Sequence, residues 1–248
     1  RFPDKRTGEN IRYSLSDTTL AAFSVFFTQC PSFLSHQQLV QQRRGSNNAT
    51  SIFTIRNIPS DNQIRALLDP VEPSFLHPVY EQTFSLLEQQ GIIESYRGFN
   101  NELLIALDGT WFHSSENISC EACNRTEHRN GTTTYHHSAI TPVVVQSGNR
   151  RVISLEPEFI HPQDGNEKQD CENAAGKRWF EGAGLRYVDY GVTILGDDLY
   201  CNEPMCNHML RLGYNFILTC KYTSHKYLAT WIEECDPKED LHEQVIKR

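Results

Sequence analysis

The sequence predicts a mixed α/β protein, in which an all-helical amino-terminal region precedes a mixed sheet flanked by helices. Apolar residues have helical spacing over the first hundred residues, and the pattern then changes to short apolar runs bounded by turn residues. Two of these runs, residues 103–107 and 191–196, are mostly apolar and each is followed directly by aspartate, as expected for buried strands. We therefore expect a helical region at residues 1–97 and a sheet-containing domain at residues 98–248.

Four helices are expected in the amino-terminal region. Ser16 and Asp17 are good capping residues at the start of an apolar run that ends before Pro31. Ser60 is a second capping residue, and apolar residues at helical spacing follow it. The polar residues 46–48 predict a loop. The predicted helices cover residues 18–27, 35–44, 61–69 and 78–90.

Three strands, followed by alternating helices and strands, are expected in the second part. The predicted order is strands at 103–107, 132–145 and 151–155, a helix at 168–180, a strand at 191–196, a helix at 203–212, a strand at 215–220 and a helix at 224–234. This order resembles the ribonuclease-H-like α/β arrangement, in which the first and fourth strands lie side by side. The resemblance implies that Asp108 and Asp197, which follow those two strands, lie close together.

Composition and charge exclude several classes of protein. The 248 residues are 38% hydrophobic and 22% charged, which is typical of a globular protein rather than a disordered one. A formal net charge of -8 argues against a protein that coats nucleic acid by bulk electrostatic attraction. The pattern contains neither a membrane-spanning run nor a signal peptide, so we expect a cytoplasmic protein with no membrane partner. Because the sequence starts with arginine and stops at Arg248, we expect both ends to be cuts in a longer protein.

Aspartates at neighbouring strand ends predict a site for divalent cations. Two carboxylates held close together repel each other unless a cation lies between them. Oxygen ligands suit Mg²⁺ or Mn²⁺, and a pair of such ions can activate the attacking oxygen and stabilise the leaving oxygen of a phosphodiester. The alternative is that Asp108 and Asp197 are turn residues, since aspartate before glycine is common in turns. Their matching positions after two similar strands favour the metal site.

Several segments of the chain resemble bacterial insertion-sequence transposases of the DDE class, and together they span nearly the whole chain. The segments are residues 61–65, 104–110, 162–165, 168–172, 177–179, 195–200 and 213–217. The resemblance implies a Mg²⁺- or Mn²⁺-dependent enzyme with a two-metal site, which cleaves insertion-sequence ends and joins the freed 3′-hydroxyl to target DNA. It also implies inverted-repeat and target DNA as partners, a homodimer in the synaptic complex, and a place in the bacterial cytoplasm with the nucleoid.

The resemblance assigns roles to particular carboxylates. By motif match, Asp108 is the first catalytic carboxylate and Asp197 the second, and both are metal ligands. Asp197 is preferred to Asp198 because the family pattern places the aspartate directly after the strand and three residues before an aromatic residue, here Tyr200. The third carboxylate of the family is a glutamate on a later helix, which we expect beyond residue 248. A catalytically inactive DNA-binding remnant and a metal-dependent nuclease without strand transfer are the alternative functions.

A pair of cysteines and two histidines could form a separate zinc site. Cys120 and Cys123 have the spacing of a zinc knuckle, and we name His136 as the histidine that would join them. Since His136 and His137 are adjacent on a predicted strand, their side chains point to opposite faces and at most one reaches the metal. The alternative is a pair of unmetallated cysteines in a loop between strands.

Basic residues in both regions are candidates for contacts with DNA phosphate. The candidates are Arg43, Arg44, Arg65, Lys168, Lys177 and Arg178. The alternative for each is a solvated helix face. Trp111 and Trp179 are expected in the core rather than as stacking platforms for bases.

Overall fold

The chain packs as two compact units in a computed structural model. The structure describes residues 11–98, 100–161 and 171–235, together with residues 2, 4, 6 and 7. The units are Arg1–Pro78 and Val79–Arg248. This boundary lies about twenty residues before the predicted boundary at 97/98, because Phe84, Ile93 and Tyr96 pack in the same core cluster as the central strands.

The first unit consists of short helices around a small apolar core. Its helices are α1 (Leu15–Phe27), α2 (Phe33–Gln41), α3 (Arg43–Ser51) and α4 (Asp61–Leu68), followed by a 3-10 turn at Pro73–Leu76. Ser14 and Ser60 cap α1 and α4, each accepting a hydrogen bond from a backbone N–H in the first turn. The buried cluster consists of Ala21, Ala49, Ile55 and Ile64.

The prediction of a loop at residues 46–48 is wrong, since these residues lie inside α3. The predicted helix at 35–44 is interrupted at Gln42, whose ψ of 153° is extended, and α3 begins at the next residue. Ala49 is 2% exposed, and its burial outweighs the weak helix propensity of the serine and asparagines before it.

The second unit alternates helices and strands. In order, its elements are α5 (His77–Gln89), a 3-10 turn (Ile93–Tyr96), β1 (Leu103–Ala106), β2 (Gly109–Ser115), β3 (Asn124–Glu127), β4 (Thr133–Ile140), β5 (Val143–Val145), β6 (Ile153–Ser154), β7 (Glu158–Ile160), α6 (Glu172–Glu181), a 3-10 segment (Ala183–Tyr190), β8 (Val192–Gly196), α7 (Glu203–Arg211), β9 (Asn215–Leu218) and α8 (Lys226–Glu234).

The first sheet has five strands in the order β6-β5-β1-β8-β9. Strands β1, β8 and β9 are parallel, whereas β5 and β6 are antiparallel to their neighbours. Leu103 and Ile105 of β1 and Val192 and Ile194 of β8 are fully buried, whereas the other apolar residues of these strands, Leu104, Ala106 and Leu195, are partly buried. The predicted fold class is confirmed: the protein is mixed α/β, and the first and fourth predicted strands are paired in the ribonuclease-H-like order.

The second sheet is formed by β2, β4 and β3, with β7 also paired to β4. The predicted strand at 132–145 is therefore two strands in two sheets, separated at Thr141 and Pro142. Strands β2, β3 and β7 were missed, because their residues are mostly polar or exposed and lack a buried apolar run. Among the residues that the structure describes, no helix combines the length and apolar character that a membrane span requires.

Candidate active site and metal centres

Asp108 and Asp197 lie at matching positions after the paired strands β1 and β8. Ala106 lies opposite Leu195 in the parallel ladder, so each aspartate is two residues beyond an aligned pair. The ladder continues to the residue before Asp108, since the Leu107 N–H donates to the Leu195 carbonyl at 2.9 Å. Neighbouring strands are about 4.8 Å apart, which brings the two aspartates to the same edge of the sheet. Both are exposed to solvent.

Asp198 has different partners from Asp197. One carboxylate oxygen of Asp198 accepts a hydrogen bond from the Lys221 N–H at 2.6 Å and lies 3.2 Å from His225 Nε2. The hydrogen bond from Lys221 lowers the pKa of Asp198, and a further hydrogen bond from Ser224 acts in the same direction. Asp198 therefore fastens the segment after β9, and Asp197 is the carboxylate that remains at the level of Asp108.

Glu172 is a third carboxylate at this edge of the sheet, and sequence reasoning missed it. It is the first residue of α6 and is half-buried. A side chain at Gly109, the residue after Asp108, would collide with the Glu172 carboxylate. Burial raises the pKa of Glu172, and the negative charges of Asp108 and Asp197 raise it further. The charges of both aspartates therefore act on Glu172.

Close packing of α6 against Tyr200 places Glu172 near the strand ends. Gly176 lies one turn after Glu172 on the same helix face, and a Cβ atom there would be 2.9 Å from Tyr200 Cε1. Tyr200 is fully buried, and its burial, followed by the Glu172 carboxylate, raises the pKa of its hydroxyl. The signal that could have identified Glu172 was its position at the start of the first helix after the third predicted strand.

A small pocket of about 160 Å³ adjoins Glu172. Its lining residues are Gly109, Trp111, Asn124, His136, Ser138, Ile160, Cys171 and Glu172. Trp111 stacks on the His136 ring with centroids 3.9 Å apart and is 50% exposed, so the prediction of a core position for Trp111 is wrong. Trp179 is fully buried as predicted. Trp111 sits on β2, which has no fully buried residue, and both of its neighbours in the strand are exposed as well.

The predicted DNA-contacting residues have different environments. Arg178 Nε donates to Glu158 Oε1 at 2.7 Å, and its guanidinium also donates to the Phe159 carbonyl at 3.0 Å, so this side chain joins α6 to β7. Lys177 and Arg65 are exposed on their helices. Lys168 lies outside the described residues, as do the side chains of Arg43 and Arg44.

The structure brings Cys120 and Cys123 beside His137 rather than His136. His137 Nε2 is 3.3 Å from each sulfur, and the two sulfur atoms are 3.6 Å apart. His136 is on the opposite face of β4, where its Nε2 contacts Thr126 Oγ1 at 3.1 Å. Side chains alternate along β4, so His136 and His137 point to opposite faces. The register between β3 and β4 places His137 beside the two cysteines.

Comparisons with known proteins give little independent information. No protein-family model matches the sequence, and no curated protein matches it. Among solved structures, the chain is similar to one in the crystal structure of a pre-cleavage Mos1 transpososome, with 11% identity and a TM-score of 0.22. The match covers 94% of this chain and 75% of that chain. A TM-score of this size does not establish a shared fold.

Proposed function

We propose that this chain is a DNA transposase of the DDE class, which cleaves phosphodiester bonds at insertion-sequence ends and transfers the freed strand to target DNA. The main observation in its support is the group of three carboxylates, with Asp108 and Asp197 at aligned strand ends and Glu172 interacting with both. The sequence segments that resemble transposases include all three residues. Together they favour phosphoryl transfer. One oxygen of Asp197 also accepts the Leu199 N–H at 2.8 Å in the turn after β8, and the other oxygen is available to a cation.

Asp108, Glu172 and Asp197 would hold Mg²⁺ or Mn²⁺. All three side chains offer carboxylate oxygens, which suit such a cation, and the charges of Asp108 and Asp197 raise the pKa of Glu172. The oxygens of the three side chains do not all lie within 4.8 Å of one another, so a bound ion would draw them together through changes of rotamer. When bound, a pair of these ions supplies the positive charge that stabilises the attacking and leaving oxygens of a phosphodiester. The chain itself holds the carboxylates in place through the β1–β8 ladder and through the packing of α6 on Tyr200.

In this proposal Glu172 takes the role of the third carboxylate, which the family pattern assigns to a later glutamate. The described glutamates near the end of the chain have a different environment. Glu233 and Glu234 are exposed on α8, and Glu233 accepts a hydrogen bond from the Tyr222 hydroxyl at 3.0 Å. Their exposure is typical of a solvated surface, so in this proposal the third carboxylate is Glu172 on α6 rather than either of these glutamates.

Inverted-repeat DNA and target DNA are the proposed partners, with a homodimer in the synaptic complex. Exposed Arg65 and Lys177 are the described basic residues that we propose contact phosphate. The half-exposed ring of Trp111, beside the pocket that adjoins Glu172, offers an aromatic face near the proposed reaction centre.

Joining of DNA ends provides the test of this function. The purified chain is incubated with Mg²⁺ or Mn²⁺, a supercoiled plasmid, and two duplexes that carry the inverted repeat flanking its gene, one uncut and one precut at the repeat end. We expect cleavage at the repeat and joining of the free 3′-hydroxyl to the plasmid. Cleavage without joining would identify a plain nuclease, and binding to the repeat without cleavage under either metal would identify an inactive remnant. Either result would overturn the transposase assignment.

A further inference from the structure

We propose that Cys120, Cys123 and His137 bind a structural Zn²⁺ ion, at a site separate from the proposed carboxylate centre. Among the described residues, two groups of three metal-ligating side chains have their ligand atoms within 4.8 Å of one another. One group is Cys120, Cys123 and His137, and the other is Cys201, Cys220 and His225. The geometry of the first group and the fold around it favour zinc.

The distances in the first group match those of ligands around a tetrahedral zinc ion. With Zn–S near 2.3 Å and Zn–N near 2.0 Å, ligand atoms in a tetrahedron are roughly 3.5–3.8 Å apart. The sulfur atoms of Cys120 and Cys123 are 3.6 Å apart, and each is 3.3 Å from His137 Nε2. A shift of a few tenths of an ångström would therefore complete three corners of the tetrahedron.

The backbone already has the turn that such a site requires. The Cys123 N–H donates to the Cys120 carbonyl at 3.1 Å, and the Cys120 N–H donates to the Cys123 sulfur at 3.3 Å. These two hydrogen bonds close residues 120–123 into a compact turn, with both thiols on one side. A turn of this kind presents both sulfurs to a single ion, and its N–H···S bond stabilises a thiolate.

Pairing of the strands brings the histidine to the thiols. Asn124 lies opposite His136 in the β3–β4 ladder, so Cys123, one residue earlier, comes level with His137. The β3–β4 ladder therefore places the Cys120–Cys123 turn beside His137 on β4. A zinc ion here would tie the segment between β2 and β3 to the central strand of the second sheet.

Two further histidines on the same face could supply the fourth ligand. His113 lies directly opposite His137 in the β2–β4 ladder, and their ring centroids are 5.6 Å apart. Phe159 lies opposite Ala139 in the β4–β7 ladder, so His161 follows on the face that carries His137. Residues opposite one another in a ladder share a face, so either histidine can approach the ion after a rotamer change. A Cys₂His₂ set is typical of structural zinc.

The second group is a less suitable site. His225 Nε2 lies 3.2 Å from Asp198 Oδ1, and that oxygen also accepts the Lys221 N–H. The imidazole is therefore held by a carboxylate that anchors a loop. Cys201 and Cys220 serve instead as control positions, since the pair offers two thiols but is remote in sequence from the proposed zinc turn.

Zinc content of the purified full chain tests the proposal directly. After exposure to excess Zn²⁺ and removal of unbound metal, mass spectrometry of the metal should find one zinc per chain. Cys120→Ser and His137→Ala should each lose most of this zinc, whereas His136→Ala and the double variant Cys201→Ser/Cys220→Ser should retain it. Cys120 is exposed, so its substitution leaves the core intact and keeps the test valid if His137→Ala fails to fold.

Three outcomes would overturn the zinc site, and the first two are a wild-type chain without zinc and a Cys120→Ser chain that keeps it. Loss from His136→Ala with retention in His137→Ala would also overturn it. His113→Ala and His161→Ala identify the fourth ligand, because the variant that lacks it should bind zinc at least about tenfold more weakly. Asp108→Asn should keep its zinc, so a failure of the transposase assignment would leave this result unaffected.

Discussion

At the scale of single residues, neighbours in the sequence have separate environments. Asp197 is exposed at the end of β8, whereas the adjacent Asp198 holds the backbone of Lys221. His137 lies between two thiols, whereas the adjacent His136 stacks on Trp111. For the histidines the direction of the side chain from β4 decides which groups it meets, since consecutive side chains on a strand point to opposite faces. The two aspartates lie in the turn that follows β8, and there the contact with Lys221 separates them.

Substitution of the three aspartates should distinguish their roles. Asp108→Asn and Asp197→Asn should each lower metal-dependent cleavage at least about a hundredfold, because a neutral amide binds Mg²⁺ poorly. Binding of the inverted repeat, measured by gel shift, should be retained in both. Asp198→Asn should reduce cleavage much less, since an amide oxygen still accepts the Lys221 N–H. Equal loss of cleavage in all three variants would contradict the choice of Asp197.

Glu172→Gln should reduce the dependence of Mg²⁺ affinity on pH. Burial, and then the charges of Asp108 and Asp197, raise the pKa of Glu172 above 4.5 in the folded chain. Its contribution to stability is therefore present below 4.5 and is lost as the pH rises through the raised pKa. Binding of Mg²⁺ needs the ionised form, so wild-type affinity should increase with pH over the same range.

In Glu172→Gln both pH effects should be reduced, and Mg²⁺ should bind at least about tenfold more weakly. Without metal at neutral pH, the variant should be no less stable than the wild type, because one of three like charges is removed. Thermal unfolding and calorimetric titration with Mg²⁺, each at several pH values, measure these effects. Wild-type Mg²⁺ affinity in Glu172→Gln would remove this residue from the proposed centre.

At the scale of elements, α6 connects the core of the second unit to the proposed active site. In α6, the indole Nε1–H of Trp179 donates to the Glu156 carbonyl at 2.9 Å, and Gly176 allows the helix to lie close to the Tyr200 ring. The Glu156 carboxylate is fully buried and accepts hydrogen bonds from Arg186 at 2.7 Å and from the Tyr187 hydroxyl at 2.8 Å. These contacts tie the helix and the following 3-10 segment to the loop between β6 and β7.

Removal of the Glu156 carboxylate should destabilise the second unit. Glu156→Ala leaves the Arg186 guanidinium and Tyr187 hydroxyl without these acceptors, at a cost of about 2–3 kcal/mol in the free energy of unfolding. Glu156→Gln should lose less, because its amide oxygen still accepts one bond. Urea denaturation measures the change, with exposed Glu116→Ala as the control. A Glu156→Ala chain as stable as the control would show that water replaces both bonds.

A side chain larger than hydrogen at Gly176 should displace α6. In Gly176→Ala the new methyl would meet the buried Tyr200 ring at 2.9 Å, so either the helix or the ring must shift. Overpacking of this kind costs about 1–3 kcal/mol, and a shifted α6 should also weaken Mg²⁺ binding through Glu172. Lys177→Ala, at the next and exposed position, is the matched control for stability. Unchanged Mg²⁺ affinity in a destabilised Gly176→Ala chain would show that the helix start is positioned independently.

At the scale of the whole molecule, an acidic chain is proposed to bind an acidic polymer. With a net charge of -8, bulk attraction is unfavourable, so affinity for DNA must come from local basic residues and from divalent cations between carboxylates and phosphate. The salt dependence of binding should therefore be shallow compared with that of a strongly basic protein.

Single substitutions of exposed basic residues test this expectation. Arg65→Ala and Lys177→Ala should each weaken binding of the inverted repeat several-fold and lower the slope of log affinity against log salt by about one. Arg178→Ala should instead lower thermal stability, because it removes the ion pair with Glu158 at 2.7 Å. Fluorescence anisotropy from low to moderate salt measures both quantities. An unchanged slope in Arg65→Ala or Lys177→Ala would exclude that residue from the phosphate contacts.

The periodicity of apolar residues and the chemistry of strand ends were readable from the chain alone. They predicted the mixed α/β class, the strands that became β1 and β8, and the pairing that aligns Asp108 with Asp197. These features are local or follow from strand order, because burial on both faces requires a continuous apolar run. The choice of Asp197 over Asp198 came from the resemblance to the transposase pattern and stays a prediction, and in the structure Asp198 holds the Lys221 N–H.

Tertiary packing decided the residues whose partners are distant in sequence. Glu172 lies beside Gly109, the residue after Asp108, and the glycine at 176 allows the close packing of α6 on Tyr200 that accompanies this approach. Likewise the thiol of Cys123 meets His137 rather than His136 because of the β3–β4 register, which depends on pairing between strands. Local sequence determines which elements form, but a close approach between elements depends on the packing of all of them together.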